Sequence, residues 1–216
     1  MASTIAKRGT WLILLIVALI VIDQVIKIMV KTNMPLYSTI EIAPWFKLHY
    51  IENNGMAFGM TFISKLFLSI FRVLAIGLLC YYIARLVRRG ARTGYLVCLS
   101  VIAAGGIGNI IDSMFYGLIF SAASPYYVSY LVPFGQGYAP FLMGRVVDMF
   151  YFPLIEGTLP QWLPLWGGEH FVFFSPVFNF ADACVTLGVI SLLIFFQKDL
   201  APLFKDNKAE EAKTGD

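Results

Sequence analysis

Four apolar stretches, residues 11–30, 66–87, 95–115 and 177–197, restrict what this chain can fold into more than any other feature. Each suits a helix across a hydrocarbon core of about 30 Å, which takes roughly 20 residues. No water satisfies backbone amides inside lipid, so such segments are helices rather than loops or open strands. With 59% hydrophobic and 13% charged residues in 216, an ordinary soluble domain is excluded. The expected class is an all-α polytopic membrane protein, a single membrane domain over residues 1–216. It has four transmembrane helices, a small external β-rich segment (31–65) and an interfacial helical or loop segment (116–176).

Lys7 and Arg8 ahead of the first stretch resemble the start of a secretory leader. The length of that stretch, the polar residues Asp23, Gln24 and Lys27 within it, and the lack of a small-x-small cleavage site argue that it is retained. Ten of the 16 basic residues, Lys7, Arg8, Arg85, Arg88, Arg89, Arg92, Lys198, Lys205, Lys208 and Lys213, fall on one side of the four spans. Basic residues in short loops stay cytoplasmic, so both termini and the tail 198–216 are expected there. The net charge of +3 is then a topology signal and gives no support to a nucleic-acid partner. Cys80, Cys98 and Cys184 all lie within spans without CxxC spacing and read as inert filling.

Residues 44–51 partly alternate apolar and polar side chains with dense aromatics, which suits a short sheet at the lipid headgroups. Asn53, Asn54 and Gly55 then supply a turn. The segment 116–176, rich in Gly, Pro and aromatics, is too long and apolar for a passive linker. Interfacial helices or a flap are expected, anchored by Tyr126, Tyr127, Trp162 and Trp166.

Carboxylates in such apolar surroundings mark function by default. Asn179 and Asp182, three apart at the start of the fourth span, are expected to share a helix face where the helix dipole favours an acid; a plain helix-start acid is the competing reading. Asn109 and Asp112 share a face of the third span after Gly105, Gly106 and Gly108, either lining a site or forming a hydrogen-bonded packing motif. Asp23 and Lys27, at i and i+4, pair either to anchor the first span or to serve a site. Arg72 receives no role. Asp148, among Val146, Val147, Met149 and Phe150, is an acid in a stretch expected to dip toward the bilayer and meet Asp182.

Two carboxylates a few ångströms apart in low dielectric share one proton, so one acts as base toward water and the other as acid. That chemistry hydrolyses a peptide without metal, cofactor or covalent intermediate. His49 and His170 bring no HExxH or GxSxG pattern and read as interfacial and structural.

In order, the blocks Asp23-Gln24 with Lys27, N-x-G-x-A-F (Asn53, Gly55, Ala57, Phe58), G-x-x-G-N-x-x-D (Gly105, Gly108, Asn109, Asp112), G-x-V-V-D (Gly144 to Asp148) and F-N-x-A-D (Phe178 to Asp182) resemble those of the lipoprotein signal peptidases. These, also called signal peptidase II, are bacterial intramembrane aspartyl peptidases. The resemblance implies Asp148 and Asp182 as the catalytic dyad, with Asn53, Gly55, Asn109, Asp112, Asn179, Asp23 and Lys27 lining or supporting the site. It also implies cleavage of diacylglyceryl-prolipoproteins just before the lipidated cysteine, from the outer face of the bacterial cytoplasmic (inner) membrane. A monomer among membrane lipids is expected. Two departures stand out. Ser113 occupies the place of the family's usual Arg, for which Arg145 is the candidate substitute, and the interval from Asp112 to Asp148 is much longer than usual. The alternatives are a small proton- or cation-coupled membrane transporter, since intramembrane acids also mark ion paths, and a non-catalytic assembly factor.

Overall fold

A computed structural model describes residues 2–54, 65–162 and 164–200. Helix α1 (Ala2–Asn33) leads into the hairpin β1 (Thr39–Ala43) and β2 (Phe46–Asn53). Helices α2 (Lys65–Arg88) and α3 (Thr93–Ile111) follow; a π-helical turn, Asp112–Tyr116, extends α3 into the short α4 (Gly117–Ile119). Strands β3 (Val146–Tyr151), β4 (Ile155–Thr158), β5 (His170–Phe173) and β6 (Val177–Phe178) precede helix α5 (Phe180–Phe195).

The packing is inside out relative to a soluble protein. Ile13, Leu14, Leu78, Leu193 and Phe195 are exposed, whereas Asp23, Lys27, Asp112, Asp148 and Asn179 are buried. Apolar side chains gain nothing by avoiding lipid, so many face outward, while the buried charges pair with one another inside. Among the described residues, Ile5–Asn33, Lys65–Arg88 and Thr93–Ile119 are long and apolar enough to cross a membrane; Phe180–Phe195 is apolar but shorter. The expected start of the fourth span at 177 shifts, because Val177 and Phe178 pair with Tyr151 and Phe150 as a strand and Asn179 caps the helix.

The class is therefore helices plus sheet, which the all-α expectation understated. β1, β2, β3 and β6 form an antiparallel sheet in that order, and β4 and β5 form a separate hairpin. The expected sheet around 44–51 is the β1–β2 hairpin, and the segment expected to hold interfacial helices or a flap contributes the short α4 and strands β3, β4 and β5. Asp148 lies opposite Ile51 on β3, an inner strand of that sheet.

Two apolar clusters clamp the bundle. Leu12, Ile83, Val87, Tyr95, Leu96, Leu99, Ala103 and Leu192 join the four long helices at one end. Val30, Met34, Leu36, Tyr50, Tyr116, Phe120, Val147 and Met149 join α1 to the sheet at the other. Between them α3 runs close to α5: a Cβ on Gly105 would sit 2.3 Å from the Ala181 carbonyl oxygen. Only glycine permits that approach, which brings the polar faces of α3 and α5 together.

Candidate active site

Helix α5 opens with a reciprocal cap. Asn179 Oδ1 accepts from the Asp182 amide at 2.9 Å, and Asp182 Oδ2 accepts from the Asn179 amide at 3.3 Å. This capping box satisfies two of the backbone donors that a helix start leaves unpaired. The three-residue spacing thus reflects a cap and its third helical residue rather than one helix face, and Asp182 is a helix-start acid. A third donor, the Ala181 amide, goes to Asp23 Oδ1 at 2.9 Å, so α1 completes the cap of α5.

Lys27 is fully buried with three acceptors for its three protons: Asp23 Oδ2 at 3.0 Å, Asp112 Oδ2 at 2.9 Å and Asn109 Oδ1 at 2.8 Å. A lysine so arranged tolerates loss of water, because no donor is left unmet. Gln24, which sequence reasoning kept out of the site, donates to Asp23 at 3.1 Å and Asp112 at 3.0 Å and accepts from Tyr116 at 3.1 Å. Asp112 also accepts from the Val147 amide at 3.3 Å, so the π-helical turn holds β3 one residue before Asp148. Gly144 gives the chain room there, since a Cβ would meet the Asp112 carbonyl oxygen at 2.2 Å.

Onto this frame the two acids converge. Asn179 Nδ2 donates to Asp148 Oδ1 at 2.7 Å and to Asn109 Oδ1 at 3.1 Å, and Asn109 Nδ2 donates to Asp182 Oδ1 at 2.8 Å. Two amides thus bridge two carboxylates from different elements. Burial first, and then the Asp182 charge, push the Asp148 carboxyl up to about 7; hydrogen bonds from Asn179 and Asn53 pull the other way. A carboxyl held near neutrality beside a second carboxylate can give and take a proton at working pH.

Asp148, Asp182, Asn179, Asn109, Asn53, Asp112, Asp23 and Lys27 therefore meet in one network. Arg145 turns elsewhere, to Glu52 Oε2 at 3.3 Å and over the Tyr138 ring at 5.5 Å. Ser113 is buried and spends its hydroxyl on the Asn109 carbonyl at 3.1 Å. Gly55 lies outside the described residues. A second buried ion pair, Lys31 with Glu52, was missed; Tyr50 donates to Glu52 at 2.9 Å. The signals were present, since Lys31 is one turn beyond Lys27 and Glu52 adjoins Asn53.

A cavity of about 310 Å³ opens beside Asp182, lined by Phe71, Arg72 and Ile76 of α2, Gly106 and Asn109 of α3, and Thr186 of α5. A peptide reaching Asp182 through it would meet the Asn109 amide.

Comparison with known proteins bears on this arrangement. The family model for signal peptidase (SPase) II matches residues 15–198. A lipoprotein signal peptidase of Porphyromonas gingivalis is 54% identical over 211 residues, covering 96% of this chain and 93% of its own. Another, from Amoebophilus asiaticus, is 37% identical over 182 residues, covering 81% and 72%. A bacterial membrane enzyme solved by the in meso method at 1.9 Å superposes with a TM-score of 0.58 at 25% identity, over 88% of this chain and 94% of that one.

Proposed function

The chain belongs to the signal peptidase II family, and from that premise we propose that Asp148 and Asp182 are its catalytic dyad. The protein is an aspartic-type peptidase that removes signal peptides from prolipoproteins in the membrane. The transporter alternative finds no support, since the matched family and relatives are signal peptidases.

The observation that carries the dyad is the amide bridge from Asp148 through Asn179 and Asn109 to Asp182. Asp182, at the start of α5 and facing donors from Asn109 and Asn179, acts as the base. Asp148, raised to about 7, carries the shared proton and acts as the acid. As Asp182 takes a proton from water, the hydroxyl adds to the scissile carbonyl carbon and Asp148 protonates the carbonyl oxygen. Asp182 then returns its proton to the amide nitrogen, Asp148 recovers one from the diol, and the C–N bond breaks.

The finer cellular reading rests on the same premise. α5 is the fourth span, supported by its outward Leu187, Leu193, Ile194 and Phe195. Both termini are cytoplasmic and the dyad faces the outer side of the inner membrane, in keeping with the basic residues that flank the spans. The β4–β5 hairpin, with exposed Trp162, Leu165 and Trp166 nearby, rests on the bilayer surface. The substrate is a diacylglyceryl-prolipoprotein cut just before its lipidated cysteine, and the enzyme works as a monomer.

Asp148→Asn and Asp182→Asn in proteoliposomes are each expected to slow cleavage of a lipidated prolipoprotein by about 10³-fold or more. Undiminished processing by either variant would remove the dyad.

A further inference from the structure

Helix α2 turns one charged side chain inward in its outer half. Ile70 and Leu74 face out, while Ser69, Arg72 and Ile76 follow the inward stripe at helical spacing. Two contacts fix that stripe on either side of Arg72. Ser69 donates to the Leu142 carbonyl at 2.9 Å, and Ile76 fills the notch left by Gly106, where a Cβ would lie 2.2 Å from its Cδ1. Arg72 is thereby held at the cavity it shares with Asn109 and Asp182, in electrostatic contact with Asp182 and Asp148.

The charge count around that cavity is unfavourable to the reaction without it. Lys27 is shared between Asp23 and Asp112, which outnumber it, and the dyad with one proton adds a further negative charge. Hydrolysis then creates another carboxylate at the end of the cut signal peptide. Ser113 supplies no compensating charge, and Arg145 is engaged with Glu52.

We infer that Arg72 binds the scissile carbonyl oxygen and then the new carboxylate of the departing signal peptide, through the cavity between α2, α3 and α5. The inference rests on Asp148 and Asp182 being the dyad. A guanidinium suits this place because its planar fork offers paired donors to a carboxylate and stays charged in dry surroundings. Its attraction grows as the carbonyl oxygen loses double-bond character, so the gain falls on turnover more than on substrate binding.

The test uses the full-length enzyme and a lipidated prolipopeptide, with Arg72→Gln, Arg72→Lys and Asp182→Asn in one assay. Arg72→Gln is expected to lower kcat by about 100-fold with a much smaller change in KM, and Arg72→Lys to keep part of the rate. A synthetic signal-peptide fragment ending at the cleavage point, as free carboxylate or as C-terminal amide, supplies a second readout. The wild type and Arg72→Lys should be inhibited more strongly by the carboxylate, and Arg72→Gln equally by both. Should Arg72→Gln fail to fold, loss of the carboxylate preference in charged Arg72→Lys would still overturn the inference. Wild-type kcat or an intact carboxylate preference in Arg72→Gln overturns it too, while an inactive Asp182→Asn in the same assay leaves the dyad standing. A fully active Asp182→Asn overturns the dyad itself and Arg72's part with it.

Discussion

The Lys27 ammonium donates to Asn109 Oδ1 at 2.8 Å, and this bond decides which way the Asn109 amide faces. A lysine has protons to give and no acceptor, so it fixes the oxygen on its own side and turns Asn109 Nδ2 to Asp182. The same logic runs through Asn179, whose oxygen must meet the Asp182 amide and whose Nδ2 is therefore free for Asp148. Lys27 thus sets the polarity of the Asn109 half of the bridge, and the Asp182 amide that of the Asn179 half.

Lys27→Met breaks that polarity and strands two buried carboxylates, Asp23 and Asp112. Removing one partner of a buried pair typically costs about 3–5 kcal/mol. Denaturation in detergent should show a loss of that order, with cleavage abolished. Adding Asp112→Asn leaves one stranded acid instead of two, so the double variant should recover at least about 1 kcal/mol of the loss while staying inactive. Strict additivity of the two substitutions would contradict the shared ion cluster.

Gly105 and Gly94 offer a controlled comparison on one helix. A Cβ at Gly105 meets the Ala181 backbone oxygen at 2.3 Å, which yields only if α5 moves; at Gly94 it meets the Phe196 ring at 2.6 Å, a side chain that can swing aside. Gly105→Ala is expected to cost about 2–3 kcal/mol and to cut cleavage at least tenfold, because Ala181, Asn179 and Asp182 shift together. Gly94→Ala should stay within about 1 kcal/mol and near wild-type rate. Equal rates for the two variants would separate the α3–α5 approach from the chemistry.

Local signals made much of this legible in the chain. Hydropathy located α2 and α3 within a few residues, because lipid leaves a continuous apolar run no option but helix, while α1 begins at Ala2, well before its apolar run. The helix-start position of Asp182 was legible because a dipole-favoured acid is a local signal, whereas its spacing from Asn179 read as a shared face and is a capping box. What escaped were contacts made across the fold. Asp148 sits on a central strand only because β2 and β6 flank it, from nearly a hundred residues before and about thirty after. Gln24 looked like a neighbour of Asp23 until its amide reached Asp112. Arg72 looked like a stray cation because its partners lie on other elements.

Lys31 and Arg145 both contact Glu52, yet burial separates their worth. The Lys31 side chain is 0% exposed and Arg145's is 43%. Lys31→Met should therefore cost about 3 kcal/mol, the lower end for a broken buried pair since Arg145 and Tyr50 still meet Glu52. Arg145→Met, discounted for solvent screening, should cost less than about 1 kcal/mol. Chemical denaturation of the two variants in one detergent measures the difference, and a reversed order would refute the burial argument.

Asp148 ties stability to pH with an unusual sign for an aspartate. Its carboxyl rises from 3.8 to about 7 on folding, through burial and then the Asp182 charge, so the native state binds the extra proton between those values. Stability then declines as pH climbs from about 4 to 7, because the unfolded chain has already released that proton. The full shift sets a ceiling of about 4 kcal/mol. Asp148→Asn removes the titrating group, so it should melt higher than the wild type at pH 8, the advantage shrinking toward pH 4. In the wild type, cleavage should fall as pH rises through about 7, when the dyad loses its shared proton. Thermal unfolding and kcat/KM measured over one pH series test both limbs. An Asp148→Asn variant melting below the wild type at pH 8 would show that Asp148 is held ionised, and would reverse the acid and base assignments.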